Sequence, residues 1–392
     1  MGKFTGKGRP ILLAVACILF LFFTNDFGGV SLENTAIIVA CGVDYDGSSY
    51  TVSCQLADSD TSQGNTPSQQ QVVICGQGST PATALSDLIQ QTGWYPNLNF
   101  CYAILLGEET LQYDLMEVLD FFLRSEDLND AALVCACEGK AEELLKAKTP
   151  LDSVSAFTVL KVIYQSGNAS DAIMGLNLKF LVNRFYGKSN GLYMTYLTYR
   201  EADTGASDPQ DGKNVFETNR AVVFRKEFFS HFLERAQIRA FNHLTQAVRI
   251  GSFELSDLEA DGQKIRRVEF QTSSPKAEAS YLYENGLPKI RYKLDLSLVI
   301  RHLESDDDSI ENISSSYQVD EGLCRAVEEA FGGEVRAFLD DLSAYGTDVL
   351  SAQENFFKFN PEGYRLYTKS HPEEDFFQDL TFEFEISAHP KK

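Results

Sequence analysis

The apolar positions of this chain change period along its length, and the changes mark its elements. Asn34 to Val43 is a nearly unbroken apolar run, the pattern of a buried strand. Asp44 to Gly47 breaks it with turn residues, and Tyr50 to Leu56 alternates as a second strand. Val72 to Cys75 is a short strand. A helix then opens at Pro81, with Thr80 as its N-cap and Ala84, Leu85, Leu88 and Ile89 as its apolar face. Phe100 to Leu106 reads as a strand. Tyr113 to Leu123 reads as an amphipathic helix with Leu115, Val118, Leu119 and Phe122 inward. Ala131 to Cys137 is a further strand, Ala141 to Ala147 a helix, and Ser153 to Gln165 and Ser170 to Phe185 two more helices before a strand at Leu192 to Tyr199. Strands and helices in alternation predict a mixed α/β layer.

Glu201 to Asn214 is polar, contains Gly205, Pro209 and Gly212, and reads as a linker. Beyond it, strands are predicted at Arg220 to Phe224, Ala247 to Leu255, Ile265 to Thr272, Ala279 to Tyr283 and Ile290 to Ile300, with a helix within 231–245. Val319 to Phe356 is helical over most of its length, interrupted or weakened at Gly332 and Gly333. Leu380 to Ile386 closes the chain as a strand, with Phe382, Phe384 and Ile386 alternating against Glu383 and Glu385. The expected class is α+β (mixed α/β) with two to three domains. Residues 1–29 form a signal or membrane anchor and 30–205 an N-terminal mixed-sheet domain. Residues 215–392 form a strand-rich C-terminal region with a long helix, divisible into two subdomains near 285.

The anchor assignment rests on Ile11 to Phe23, thirteen apolar residues preceded by Lys3, Lys7 and Arg9 and followed by Asn25 and Asp26. At helical rise this spans ~20 Å, short of a ~30 Å hydrocarbon core, so the segment is a signal-peptide core or a short anchor. Cys17 follows Ala14, Val15 and Ala16 and is the candidate lipidation residue. The alternative is that Cys17 is an ordinary apolar residue of an uncleaved anchor. Six apolar residues precede it, and Ile18 to Phe23 after it would make a greasy mature terminus. No second long apolar segment follows.

Net charge is −22, which argues against nucleic acid and against adhesion to anionic lipid heads. It fits a soluble body on the outer side of a membrane. Of the eight cysteines, Cys41, Cys54, Cys75, Cys101, Cys135 and Cys137 lie in strand-like runs, and no CxxC or Cys/His spacing marks a zinc site. A hairpin of 34–43 with 50–57 would put Cys41 and Cys54 on one face, lying diagonally. Free buried thiols are expected there, with a disulfide as the alternative.

Other short motifs point to local structure rather than chemistry. Gly76 and Gly78 before a helix lack the third glycine and the lysine of a phosphate loop, and read as a capping turn. Asp44, Asp46 and Gly47 lack the glycine and glutamate positions of a calcium loop. His231, His243, His302, His371 and His389 show neither metal nor triad spacing, and Asp306 to Asp308 reads as a solvated loop. No catalytic, cofactor-binding or metal residues are assigned.

Several stretches in order resemble the C-subunit family of spore germinant receptors, the Ger(x)C or GerAC-like proteins. These are Leu32 to Asp44, ending in Gly-Val-Asp; Gly78 to Thr80 with Ala84 and Leu85; Ala103 to Glu109; and Leu119 to Arg124. Arg220 to Arg225, Thr347 to Val349 on the long helix, and His371-Pro372 before the strand 380–386 continue the likeness, which covers nearly the whole chain after the anchor. The resemblance implies a fold of three α/β-type domains and a non-enzymatic lipoprotein on the outer face of the spore inner membrane. It implies that a polytopic A subunit and a transporter-like B subunit act with it in the response to nutrient germinants. It also implies a lipidated cysteine near Asp26, where this sequence has none, so that a protein anchor takes its place. The alternative function is an extracytoplasmic binding or sensor protein of another membrane complex.

Overall fold

The structure, a computed structural model, describes residues 15–16, 35–56, 72–149, 154–166, 172–173, 175–201, 214–247, 250–260, 263–305 and 319–391. Val15 and Ala16 are helical. The rest of Ile11 to Phe23, with Cys17, lies outside the described residues. So do most of the polar stretch 201–214, the loop 59–71 and the acidic run 306–308. Among the described residues, no helix is long and apolar enough to cross a membrane.

Two sheets organise the described residues as a mixed α+β fold. The first runs in the order β10-β9-β8-β6-β5-β1-β2-β3. Its centre is parallel: β1 (Thr35–Tyr45) pairs with β5 (Ala103–Gly107), β5 with β6 (Leu133–Cys137), and β6 with β8 (Gly191–Glu201). Antiparallel strands close both flanks. These are β2 (Tyr50–Leu56) and β3 (Val72–Gly78) on one side, and β9 (Asn214–Arg225) and β10 (Phe228–Leu233) on the other. Two short strands join at one end, β4 (Tyr95–Asn97) parallel to β1 and β7 (Leu176–Asn177) against β6.

A parallel sheet needs both faces covered. Helices Pro81–Thr92, Leu115–Arg124 and Leu178–Phe185 bury one face, with Leu85, Leu88, Leu119, Phe122 and Leu181 in its core. Helices Ala141–Lys146 and Ser155–Ser166 cover the other. The caps follow the sequence. The Thr80 hydroxyl accepts from the Thr83 N–H, and Asp114 accepts from Met116 and Glu117. Gly76 is required by close packing: a Cβ there would lie 2.0 Å from the Ala84 carbonyl oxygen. Strand and helix touch backbone to backbone, and the Gly76–Gly78 segment serves that contact.

The second sheet runs β11 (Ile250–Ala260), β12 (Gln263–Glu284), β13 (Leu287–Ser305), β14 (Thr381–Pro390). Its inner face packs Leu294, Leu296 and Leu298 against Phe331, Val335 and Phe338 of a long helix, Glu321–Tyr345. That core continues into Tyr193, Ala221 and Val223 of β8 and β9 and Ile238 and Phe241 of the helix Arg235–Leu244. One apolar cluster therefore ties the first sheet to the second.

Several expectations are corrected. Residues 176–177 are extended and the helix starts at Leu178, so Ser170 to Phe185 is not one helix. Within 231–245, β10 ends at Leu233 before the helix begins at Arg235. The two strands predicted over 265–283 are one, with a register shift between Ser273 and Lys276 where Pro275 has no N–H to give. The long helix runs unbroken through Gly332 and Gly333. Cys41 and Cys54 are directly paired rather than diagonal, with free thiols whose sulfurs lie 3.9 Å apart. Hydrogen bonding to Cys101 and Cys54, together with burial, holds the Cys41 thiol well above its usual pKa. The two ends of the polar stretch, Glu201 and Asn214, are themselves paired, since β8 and β9 run in register from Gly191↔Arg225 to Glu201↔Asn214.

Candidate functional site

The most elaborately built polar site joins the turn after the long helix to the segment entering β8. Gly346 ends the helix in the left-handed region, at φ 62°, and Thr347, Asp348 and Val349 follow, each essentially buried. The Thr347 to Val349 stretch thus sits in the turn beyond the helix rather than on it. Asp348 is wholly desolvated and is held by three donors. The Ala352 N–H donates to Oδ1 at 2.7 Å, the Gln353 N–H to Oδ2 at 2.9 Å, and the Ser189 hydroxyl to Oδ2 at 2.9 Å. The first two are orphan donors of the helix Ala352–Phe359, so Asp348 caps that helix from four residues upstream. Burial pushes its pKa up, opposed by the hydrogen bonds from Gln353, Ala352 and Ser189.

The neighbours of Ser189 complete the junction. The Asn190 side chain accepts from the Asp348 N–H at 2.9 Å and donates to the Gly346 carbonyl at 3.0 Å. Arg184, at the end of the helix Leu178–Phe185, donates to the Val349 carbonyl at 2.7 Å and lies 5.0 Å from the Tyr193 ring centroid. Gly191 permits the approach, since a Cβ there would lie 2.4 Å from the Asp348 carbonyl carbon. Beside it, Lys188 pairs with Glu373 at 2.7 Å. The chemistry is that of a rigid joint, with every carboxylate oxygen of Asp348 occupied by protein.

Other residues weighed from the sequence are placed differently. Asp44 caps the helix Ala141–Lys146 through the Ala141 and Glu142 N–H groups, at 2.8 and 3.1 Å. Asp46 accepts from Ser48 and Ser49, which lower its pKa to about 2. These two carboxylates are spent on separate backbone tasks. No group of three His, Cys, Asp or Glu among the described residues could hold a metal ion.

One constellation escaped the sequence. His389 lies 3.2 Å from the Ser297 hydroxyl through Nε2 and 2.9 Å from Asp295 through Nδ1. That connectivity matches a hydrolytic triad. It arises from register: Ser297 faces His389 across β13 and β14, with Asp295 diagonal to it. It continues a ladder of Arg291 with Glu383 and Lys293 with Glu385 on the outer sheet face. The pairing with β14 is unbroken there, while the pairing with β12 shifts register opposite Leu296, between Ser273↔Ser297 and Lys276↔Asp295. Only the three-dimensional pairing of residues 92 apart could have revealed it.

The family model for the spore germination protein N-terminal domain matches residues 28–199, and that for the spore germination B3/GerAC-like C-terminal region matches residues 219–389. The chain belongs to the GerAC-like spore germination family. Among solved structures, this GerAC-like chain is similar to the GerBC protein, with a TM-score of 0.52 and 14% identity, over 90% of this chain and 96% of that one. At that identity the likeness shows the shared fold. Comparison with curated proteins finds no match. The Asp348 junction falls inside the matched C-terminal region, while its partners Arg184, Ser189 and Asn190 fall inside the matched N-terminal domain.

Proposed function

We propose that this chain is the non-enzymatic, membrane-tethered C subunit of a spore germinant receptor, working with a polytopic A subunit and a transporter-like B subunit in nutrient-triggered germination. The observation that carries this reading is the ordered match of both family models, supported by a fold shared with GerBC across nearly the full length of each chain. Attachment is by Ile11 to Phe23 as an uncleaved anchor, with the two-sheet body outside the membrane.

The test is solubilisation of spore membranes in mild detergent followed by affinity isolation of the tagged full-length chain. Co-isolation of a polytopic protein and a transporter-like protein is the expected result. Recovery of the full-length chain from the soluble fraction, with no membrane partner, would overturn the reading. Intact mass decides the anchor. A chain beginning at Cys17 with a diacylglyceryl adduct would replace the protein anchor by a lipid one.

A further inference from the structure

The end of the first sheet at which β1 begins carries a concentration of exposed aromatic side chains. Trp94 is 46% exposed, Tyr95 51%, Phe100 48% and Tyr102 38%. Register places them together at this end. Tyr95 pairs with Thr35, and Asn97 pairs with Ile37, itself 41% exposed. Tyr102 donates its N–H to the Val39 carbonyl, and its ring lies 6.4 Å from Phe157, which is 37% exposed. Leu98 and Cys101 point inward from the same loop, so the core is filled without the outward rings.

The aromatic segment itself is free of charge. From Gly93 to Gly107 there is no Asp, Glu, Lys or Arg, in a chain with 23% charged residues and net charge −22. A solvated loop of this protein would be expected to share that acidity. This uncharged segment, beside which Glu126, Asp127 and Asp130 are exposed on the loop entering β6, has the Trp, Tyr and Phe composition of side chains that settle at a membrane–water interface, where an apolar ring and a polar edge are both satisfied.

Position supplies the occupant. Phe23 ends the apolar segment and Thr35 begins β1. The twelve residues of travel between them span at most ~40 Å fully extended. The end of the sheet that bears the rim is the end at which the chain from the apolar segment enters β1. Because the body is acidic, attraction to anionic heads cannot draw it down, and aromatic partitioning is the remaining force.

We infer that this rim rests in the interfacial layer of the lipid bilayer, fixing the orientation of the body on the membrane. The inference depends on the tethered reading above. Trp94 is the single tryptophan of the chain, so its intrinsic fluorescence reports the rim directly. The experiment uses the full-length protein reconstituted into protein-free zwitterionic phosphatidylcholine vesicles, with and without brominated acyl chains. Expected are flotation with the vesicles, a blue-shifted Trp94 emission quenched by brominated lipid, and loss of quenching by aqueous iodide, all persisting at high salt. Replacing Tyr95, Phe100 and Tyr102 together by Ser should return Trp94 to aqueous quenching while flotation persists. Flotation with Trp94 still open to iodide and insensitive to brominated lipid would overturn the rim and leave the tether standing. Failure to float would overturn both. Shielding of Trp94 that requires a co-purified polytopic protein would also overturn the lipid assignment, giving the rim to a protein partner.

Discussion

Asp348 shows how a single side chain can be indispensable without being reactive. Its carboxylate replaces water for two helix N–H groups and one hydroxyl. Asp348→Ala should lower unfolding free energy by roughly 2–4 kcal/mol, because buried donors are left bare. Ser189→Ala removes one of three bonds and should cost about 1 kcal/mol. Urea denaturation of both variants checks the order, and equal losses would show that the helix cap is not what Asp348 supplies. His231 gives the pH-dependent counterpart. Its ring stacks on Tyr345 at 4.1 Å, its Nε2 is buried without a partner among the described residues, and desolvation lowers its pKa from 6.5 despite Asp341. A depressed histidine stabilises fully above 6.5 and loses that contribution as pH falls toward its native value, because the unfolded chain takes up the proton first. His231→Phe should flatten the fall in stability between pH 6.5 and lower values, read as melting temperature against pH. A wild-type slope retained in the variant would place the titrating group elsewhere.

Elements differ in how far their sequences reveal them. The helix Pro81–Thr92 was legible because Thr80, Pro81 and the spacing of Ala84, Leu85 and Leu88 all agree. The helix starting at Leu178 was over-extended, because the lone Gly175 within Ser170 to Asn177 does not by itself announce the pairing of Leu176 with Val134. Conversely, Gly332 and Gly333 read as an interruption or a weakening, and tertiary packing carries the helix through them. Phe331 and Val335 on either side are fully buried, so the helix is held by its core face. Those glycines are then an unused reserve of stability. A Cβ at Gly332 would meet Phe384 at 3.8 Å in ordinary contact, and one at Gly333 would meet nothing within 4 Å. Gly332→Ala and Gly333→Ala should each raise stability by about 0.5–1 kcal/mol through a less disordered unfolded chain. Calorimetry of the double variant tests this, and a lowered melting temperature would mean the helix needs its glycines. The Asp348 junction was legible only as the sequence Thr347 to Val349. Its partners lie about 160 residues away, and Asp348 sits four positions before the helix it caps, outside any local capping pattern.

For the whole molecule, composition and topology answer different questions. Glu201 to Asn214 has the polarity of a linker, yet Glu201 and Asn214 are partners in one hairpin. Cutting between them would sever the chain but not the sheet, and Tyr193, Ala221 and Val223 would still share a core with Phe338 and Leu339. Limited proteolysis within 202–213 should therefore yield two fragments that co-elute under native conditions and separate only in denaturant. Separation in buffer alone would show that the shared cluster does not bind the halves.

The final strand has a consequence in time. β14 joins β13 in parallel from Lys289↔Thr381 to Leu298↔Pro390, across some ninety residues of intervening chain. The inner side chains of that sheet, Tyr292 among them, wait for Phe382 and its neighbours before the layer is complete. Pairings of such long sequence separation are slow to find. Until Thr381 to Pro390 are available to pair, β13 keeps an open edge and the inner layer of that sheet stays unfinished, so a chain cut before Thr381 should expose apolar surface, read as increased binding of a hydrophobic dye.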